Sequence, residues 1–269
     1  MKLRKLLIIL IVLFVNLNIF AKDEEIDLDL FEKKTKSYLN IDFVDITTFN
    51  IGLGLQQYFS KQDQGHFYFG LNSSINPLEY TIGANFNLTS PMNLISLSAS
   101  YDYIFVLNGY EFNGINDDMS SKTLDKKKKE KGRGHKVSLG LEITKQLGRL
   151  YFSYSVDFSY LNYNLGKYFY NPTHDLIQND GWLLECQINP LIIIYPKIYV
   201  GPYLSMTYLF ENEYTKIHSG LAVVLDEIPL LSNHDSLVFN VGYWIKEKFR
   251  KNENEGFTLS FFYRLTFEL

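Results

Sequence analysis

The sequence contains few side chains whose types and spacing suit covalent chemistry. His218 and Ser219 are adjacent and have the residue types of a hydrolytic base and nucleophile. Neighbouring residues of a strand point to opposite faces, so these two cannot share a proton if the segment is a strand. Asp117 and Asp118 form a carboxylate pair, but they precede a lysine-rich segment, which favours simple solvation. We therefore predict no catalytic residues.

Metal and cofactor sites are not indicated either. The chain has one cysteine, Cys186, and five histidines that are scattered along its length. One cysteine excludes a disulfide framework and a cysteine-built zinc or iron–sulfur site. No His, Asp and Glu cluster has the spacing of metal ligands, and phosphate-binding glycine motifs are missing. The sequence predicts neither a cofactor nor a metal.

The N-terminus has the three parts of a secretory signal peptide. Residues 1–5 carry three positive charges, residues 6–15 are an unbroken apolar run, and Ala21 precedes a charged stretch. We expect residues 1–21 to be the signal peptide and residues 22–37 to be an exposed or plug-like arm. Removal of residues 1–21 takes away three of the 26 bases and none of the 30 acids. The remaining acidic balance argues against nucleic acid as a partner.

From residue 38 to residue 269 the dominant period is two. Apolar and polar residues alternate in ten windows: 67–75, 80–88, 95–107, 137–147, 150–160, 182–188, 198–210, 217–225, 237–245 and 257–269. Such alternation is typical of β-strands with one apolar and one polar face. The mean hydropathy of −0.10 excludes a polytopic helical membrane protein. The predicted fold class is all-β.

The direction of the apolar face separates two kinds of all-β protein. In a soluble barrel or sandwich the apolar face forms the core, whereas in a transmembrane barrel it faces lipid. The polar faces are rich in Ser, Thr, Gly and Asn, and aromatic residues such as Trp182 lie near strand ends. Short links such as 147–150 alternate with the long links 108–136 and 162–181. These features favour a single antiparallel transmembrane β-barrel over residues 38–269.

The last predicted strand supports this interpretation. Apolar residues occupy every second position from Phe257 to Leu269. The pattern resembles the C-terminal strand of bacterial outer-membrane β-barrels, which the barrel-assembly machinery recognises. Tyr263, Phe267 and Leu269 hold the positions of that assembly signal, although the family usually ends in Phe. The resemblance implies a porin-like barrel, surrounded by lipid in the outer membrane of a diderm bacterium, and matches no specific subfamily.

The number of strands can be predicted from the rule that bacterial barrels have an even number of them. Eleven segments are clear in the sequence, whereas a bacterial single-chain barrel has an even number of strands. The stretch 38–59 is about twice the length of a strand, so we expect it to hold two strands that meet near residues 45–48. The prediction is about 12 strands, with 10–14 as its range.

The side chains predicted to line the lumen carry both signs of charge. The candidates are His66, Tyr68, Asp102, Glu142, Asp157, Glu185, His218, Lys246 and Arg264. A barrel of about 12 strands has a bore between the filled eight-stranded barrels and the open 16-stranded porins. The favoured function is a narrow, polar, passive channel for ions or small solutes. The alternatives are a structural or adhesin-like surface barrel with a closed lumen, and an outer-membrane hydrolase.

One long link is strongly basic. Residues 122–136 contain eight bases and two acids, and the candidates for binding an extracellular polyanion are Lys126, Lys127, Lys128, Lys129, Lys131 and Arg133. Such a run can bind anionic sugars or lipid phosphates. A charge run is more often a solvated, flexible loop. Both interpretations are compatible with the barrel.

Overall fold

The protein folds as a sheet of β-strands. The computed structural model describes residues 32–44, 48–61, 65–77, 79–91, 94–113, 123–163, 169–171, 176–178, 180–211, 213–228, 235–246 and 257–268. The strands are β1 (Glu32–Val44), β2 (Thr48–Lys61), β3 (Gly65–Ile75), β4 (Glu79–Thr89), β5 (Ile95–Asn113), β6 (Thr123–Leu147), β7 (Leu150–Asn162), β8 (Phe169–Asn171), β9 (Leu176–Gln178), β10 (Gly181–Tyr195), β11 (Ile198–Leu209), β12 (Tyr214–Ile228), β13 (Asp235–Lys246) and β14 (Phe257–Glu268). Among these residues, no helix is long and apolar enough to cross a membrane.

Twelve strands form one closed antiparallel ring. β1 to β7 lie side by side in chain order, β10 continues from β7, and β11 to β14 follow in order. β14 then pairs with β1, with Lys36 opposite Glu268 and Asn40 opposite Arg264. The prediction of a single twelve-stranded barrel is confirmed. The stretch 38–59 holds parts of two strands, β1 and β2, as expected.

The first strand begins earlier than the sequence analysis predicted. β1 starts at Glu32, so residues 32–37 belong to the barrel wall and not to the arm predicted at 22–37. Ser37 lies opposite Phe267 of the last strand, because closure of the ring gives β1 a partner on this side. The predicted signal peptide, residues 1–21, and residues 22–31 lie outside the described part of the chain.

The links between ring strands differ at the two ends of the barrel. At the end that holds Glu32 and Glu268, which we call the turn end, the links cover residues 62–64, 90–94, 148–149, 196–197 and 229–234. Gly148, with a φ of 59°, lies in one of the two-residue turns, where a positive φ favours glycine. At the opposite end, the loop end, the links cover residues 45–47, 76–78, 114–122, 163–180, 210–213 and 247–256.

Most of the long link predicted at 108–136 is paired backbone. β5 continues to Asn113 and β6 begins at Thr123, with Gly109 opposite Glu130 and Phe112 opposite Leu124. The lysines at 126–129 therefore lie on a strand and not in a loop. The charge run led to the wrong assignment because strand pairing uses backbone groups, which charged side chains leave available.

The link 163–180 carries a small hairpin of its own. β8 pairs with β9, and Phe169 of β8 lies opposite Glu111 of β5. At the base of this link, the backbone N–H of Tyr163 donates a hydrogen bond to Asp180 Oδ1 at 2.6 Å. The link is therefore fixed at its root and joined to the extension of β5.

The outward face of the ring is apolar and the inward face is polar. Leu53 is 60% exposed and Leu71 is 65% exposed, whereas Gln56, which points inward, is 7% exposed. Residues that lie opposite each other in antiparallel strands share a face, so the register extends this assignment around the ring. This polarity is the reverse of a soluble barrel, and it is the polarity of a transmembrane barrel.

Apolar side chains occupy part of the interior. Twelve strands about 4.8 Å apart and tilted by about 40° enclose a ring about 24 Å across between backbone axes. At the loop end, a buried cluster comprises Ile104, Val106, Leu161, Tyr163, Leu183 and Leu209. A second cluster, in the half near the turn end, centres on Leu191, Tyr203 and Ala222. The polar wall between and opposite these clusters is the candidate functional site.

Candidate functional site

Four predicted carboxylates line neighbouring strands of the inner wall. They are Asp102 on β5, Glu142 on β6, Asp157 on β7 and Glu185 on β10. The register places Asp157 directly opposite Glu185. Lys136, opposite Asp102 in the β5–β6 register, adds one positive charge to this sector. The sector is negative overall, and we call it the acidic wall.

Two carboxylates of the acidic wall accept hydrogen bonds from neutral side chains. Asn72 Nδ2 donates to Asp102 Oδ1 at 3.4 Å, and Ser153 Oγ donates to Glu142 Oε1 at 3.3 Å. Within the described ranges, no group of three or more His, Cys, Asp and Glu side chains is arranged to hold a metal ion.

Arg264 lies on the opposite side of the ring. Its strand, β14, is five strands from β5 and six strands from β6 in a ring of twelve. Arg264 Nε donates a hydrogen bond to Asn40 Oδ1 at 2.9 Å. The guanidinium carbon lies 5.0 Å from the ring centre of Tyr38 and 5.5 Å from that of Phe262, both within cation–π range. One hydrogen bond and two aromatic rings thus hold the guanidinium.

A second basic and aromatic group lies nearer the turn end. Lys36 Nζ is 5.0 Å from the ring centre of Tyr58. The Tyr58 ring centre lies 4.8 Å from that of Tyr68 and 6.1 Å from that of His66. The Tyr58 hydroxyl donates to Gln56 Oε1 at 2.9 Å. The predicted residues His66 and Tyr68 therefore lie on the same part of the inner wall as Lys36. We call this part, together with Arg264, the basic wall.

The two walls face each other across the interior with opposite charge. Charges separated by a narrow, partly desolvated space act on one another and on a passing solute more strongly than they would in bulk water. The opposed charges therefore create an electric field across the interior between Arg264 and Glu142.

His218 contacts Tyr203 of the second apolar cluster and belongs to neither wall. Its Nδ1 is 3.0 Å from the hydroxyl of Tyr203, and both side chains are buried. Ser219 lies opposite the outward-facing Leu204, and its Oγ donates to the backbone oxygen of Tyr203 at 3.0 Å. The two adjacent residues therefore lie on opposite faces of β12, and no proton can pass directly between them.

Several solved structures match this chain at low sequence identity. No family model matches the sequence, and no curated protein is significantly similar to it. The KdgM porin has 8% identity over 86% of this chain and 99% of that chain, with a TM-score of 0.45. Omp33 of Acinetobacter baumannii has 9% identity over 88% and 99%, with a TM-score of 0.43. An outer membrane channel from Pseudomonas putida F1 has 13% identity over 91% and 100%, with a TM-score of 0.44.

The class of the fold is decided by the ring itself, which joins an even number of antiparallel strands and has an apolar outer face. The fold is that of a bacterial outer-membrane β-barrel. In this outer-membrane barrel, the strand predicted to carry the assembly signal closes the ring. Phe267 points outward and is 46% exposed, and the Tyr263 hydroxyl donates to Asp235 Oδ2 at 2.9 Å. Leu269 lies outside the described residues.

For several predicted residues of the outer-membrane barrel, the structure describes the backbone but not the side chain. Lys246 ends β13, and residues 126–129 lie on β6, but their side chains fall outside the described part of the chain. Lys131 and Arg133 follow on β6 and are exposed. The acidic pair at 117–118 is not among the described residues. The structure thus brings the predicted charges of β3, β5, β6, β7, β10 and β14 to one interior.

The residues that sequence reasoning missed lie on β1. Tyr38 and Asn40 hold Arg264, and Lys36 contacts Tyr58, yet none was among the predicted lumen residues. The assignment of residues 22–37 to an arm hid Lys36, whereas Tyr38 and Asn40 lay within the stretch 38–59 that was predicted to hold strands. A signal was present, because Lys36, Tyr38, Asn40 and Asp42 alternate with Ser37, Leu39, Ile41 and Phe43.

Proposed function

We propose that the protein is a passive channel for ions and small polar solutes in the outer membrane. The main supporting observation is the partial exposure of polar side chains that point into the ring, including Asn72, Asp102 and Asp157, together with the exposed Glu142. In a barrel filled by side chains, such residues would be buried. Their exposure indicates free volume between the acidic and basic walls.

The apolar clusters restrict the path to small solutes. They occupy the β5, β7, β10 and β11 side at the loop end, and the β10 to β12 side nearer the turn end. A solute must pass along the remaining polar wall. We propose no catalytic function, because His218 is bonded to Tyr203 and Ser219 lies on the other face.

We expect weak selectivity for cations, because Glu142 is exposed in the acidic wall. The variant Glu142→Gln should lower the potassium-to-chloride permeability ratio about twofold, since it removes one charge close to the path. The reversal potential of refolded protein in a planar bilayer under a potassium chloride gradient measures this ratio.

Glu211→Gln is the matched control, because Glu211 is exposed in the link between β11 and β12 and outside the acidic wall. It should change the permeability ratio less. Equal ratios for wild type and Glu142→Gln would contradict the selectivity, and a complete absence of single-channel steps at all voltages would refute the channel.

A second candidate function, binding of an extracellular polyanion, rests on the length of the β5–β6 hairpin. β6 has 25 residues, whereas a transmembrane strand needs about 9–11. Much of the hairpin therefore extends beyond the membrane at the loop end, which we propose faces the cell exterior. The basic run at 122–136 lies largely in this extension, where its charge density suits a sulfated or phosphorylated polysaccharide.

Retention on immobilised heparin tests this second function. Replacement of Lys126, Lys127, Lys128 and Lys129 by Gln should lower the salt concentration that elutes the detergent-solubilised barrel, because fewer counterions are released on binding. Replacement of Lys145 and Arg149, which are exposed near the turn end, should leave the elution unchanged. Identical elution of the fourfold variant and wild type would contradict polyanion binding by this run.

A further inference from the structure

The guanidinium of Arg264 has donors that the protein does not use. Within the described part of the chain, its side chain makes one hydrogen bond, from Nε to Asn40, and no ion pair. Arg264 is partly exposed on the inner wall, and its terminal nitrogens are not among the buried polar atoms without a partner. These nitrogens therefore face open space, and their fork of N–H donors matches the two oxygens of a carboxylate.

The position of this fork is fixed before any ligand arrives. Tyr38 is 8% exposed and lies over Gly54, in a space that a side chain at Gly54 would fill. The Tyr38 ring in turn lies against the guanidinium, and Phe262 contacts it from the same strand. A side chain held in this way loses little conformational freedom on binding, so more of the interaction energy appears as affinity.

The charges around Arg264 favour a ligand with a single negative charge. Asp42 lies on the same wall, where Asn50 Nδ2 donates to its Oδ2 at 3.2 Å, and the acidic wall faces Arg264 from across the ring. A dianion would pair with the single guanidinium of Arg264, but the carboxylates of Asp42 and of the acidic wall would repel it. A monocarboxylate is repelled less by these carboxylates than a dianion, and it can still use both terminal nitrogens of Arg264.

The wall beside Arg264 is built from small polar groups. Gly52 lies between Asn40 and Ser74, and the Cβ atoms of both residues are 3.6 Å from the position that a Cβ of Gly52 would occupy. The hydroxyls of Ser74 and Thr81 are 2.6 Å apart on the next strands. Amide and hydroxyl groups of this kind exchange hydrogen bonds with the hydroxyl groups of a solute.

From these observations we infer that Arg264 is a binding site for small polyhydroxy monocarboxylates, the class of sugar acids. The carboxylate pairs with the terminal nitrogens of Arg264, and the hydroxyl groups contact the polar wall beside Asn40 and Ser74. The inference rests on the proposed channel, because the solute must enter the lumen, and it names one class of solute that the channel retains as it passes.

Isothermal titration calorimetry of the detergent-solubilised barrel with sodium gluconate tests the site without a conductance measurement. Wild type should bind gluconate, and Arg264→Gln should weaken the affinity about tenfold or more, because two charge-assisted hydrogen bonds are lost. Arg264→Lys keeps the charge but not the fork, and its affinity should lie between those two. Sorbitol, a neutral six-carbon polyol, should not bind measurably.

Arg133→Gln is the matched control, because it removes an arginine from the exposed part of β6 and should leave gluconate affinity unchanged. Slower migration of each variant after heating shows that the unheated protein is folded. Equal affinity of wild type, Arg264→Gln and Arg264→Lys would overturn the inference, as would sorbitol binding as tight as gluconate binding. Absence of conductance with gluconate bound at Arg264 would refute the channel and retain the site.

Discussion

Arginine in place of Leu204 should lower the free energy of unfolding of the barrel by about 2–4 kcal/mol. Leu204 lies midway along β11, faces outward and is 42% exposed. In a bilayer, a guanidinium at this depth loses its hydration and gains no protein partner on the lipid side. Urea titration of the barrel in liposomes, followed by the loss of the fast-migrating folded band on unheated gels, measures the difference.

Ser205→Arg is the control for that experiment, because it introduces the same side chain one residue away on the other face. Ser205 points inward and lies opposite Gln187 and His218. An arginine there remains in contact with the polar interior, so we expect a change below about 1 kcal/mol. If Ser205→Arg destabilised the barrel as much as Leu204→Arg, the assignment of the two faces would be wrong.

Alanine in place of Gly54 should destabilise the barrel by about 1–3 kcal/mol, because its Cβ would overlap the ring of Tyr38. Tyr38 cannot move without disturbing Arg264, which lies against the same ring. We therefore expect Gly54→Ala to weaken gluconate binding as well as to lower stability. The urea titration and the calorimetric titration described above measure the two effects.

Gly52→Ala separates this effect from a general cost of alanine on the inner wall. Gly52 lies on the same strand and face, two residues from Gly54, but the nearest atoms to its Cβ position are 3.6 Å away, an ordinary contact distance. The free energy of unfolding of the Gly52→Ala variant should stay within about 0.5 kcal/mol of that of wild type. Similar losses for the two variants would show that the packing of Tyr38 is not the cause.

Much of the fold could be predicted because lipid and water impose a period of two on each strand. The alternation from Phe257 onward and the doubled length of 38–59 were sufficient to predict the barrel and its twelve strands. The error at 108–136 has a physical cause. Beyond the membrane neither face of a strand must be apolar, so paired strands such as the upper part of β6 leave no alternation in the sequence.

The candidate site was less predictable than the fold. Alternation along β14 was sufficient to place Arg264 on the inner face, but it could not identify the partners that hold its guanidinium. Asn40 is 224 residues away in the chain, and the register between β14 and β1 is set when the ring closes. The contacts of Tyr38 could not be predicted for the same reason. Its position over Gly54 depends on two strand pairings and not on local sequence.

The pairing of β1 with β14 gives the Arg264 site a particular place in folding. Its components come from the first and last strands of the ring, so the site forms only when these two strands pair and close the ring. Contacts between residues so distant in the chain form slowly, because the entropy of closing the loop must be overcome first. A solute that binds Arg264 binds the closed ring and not the open sheet, and therefore stabilises the seam that keeps the barrel shut.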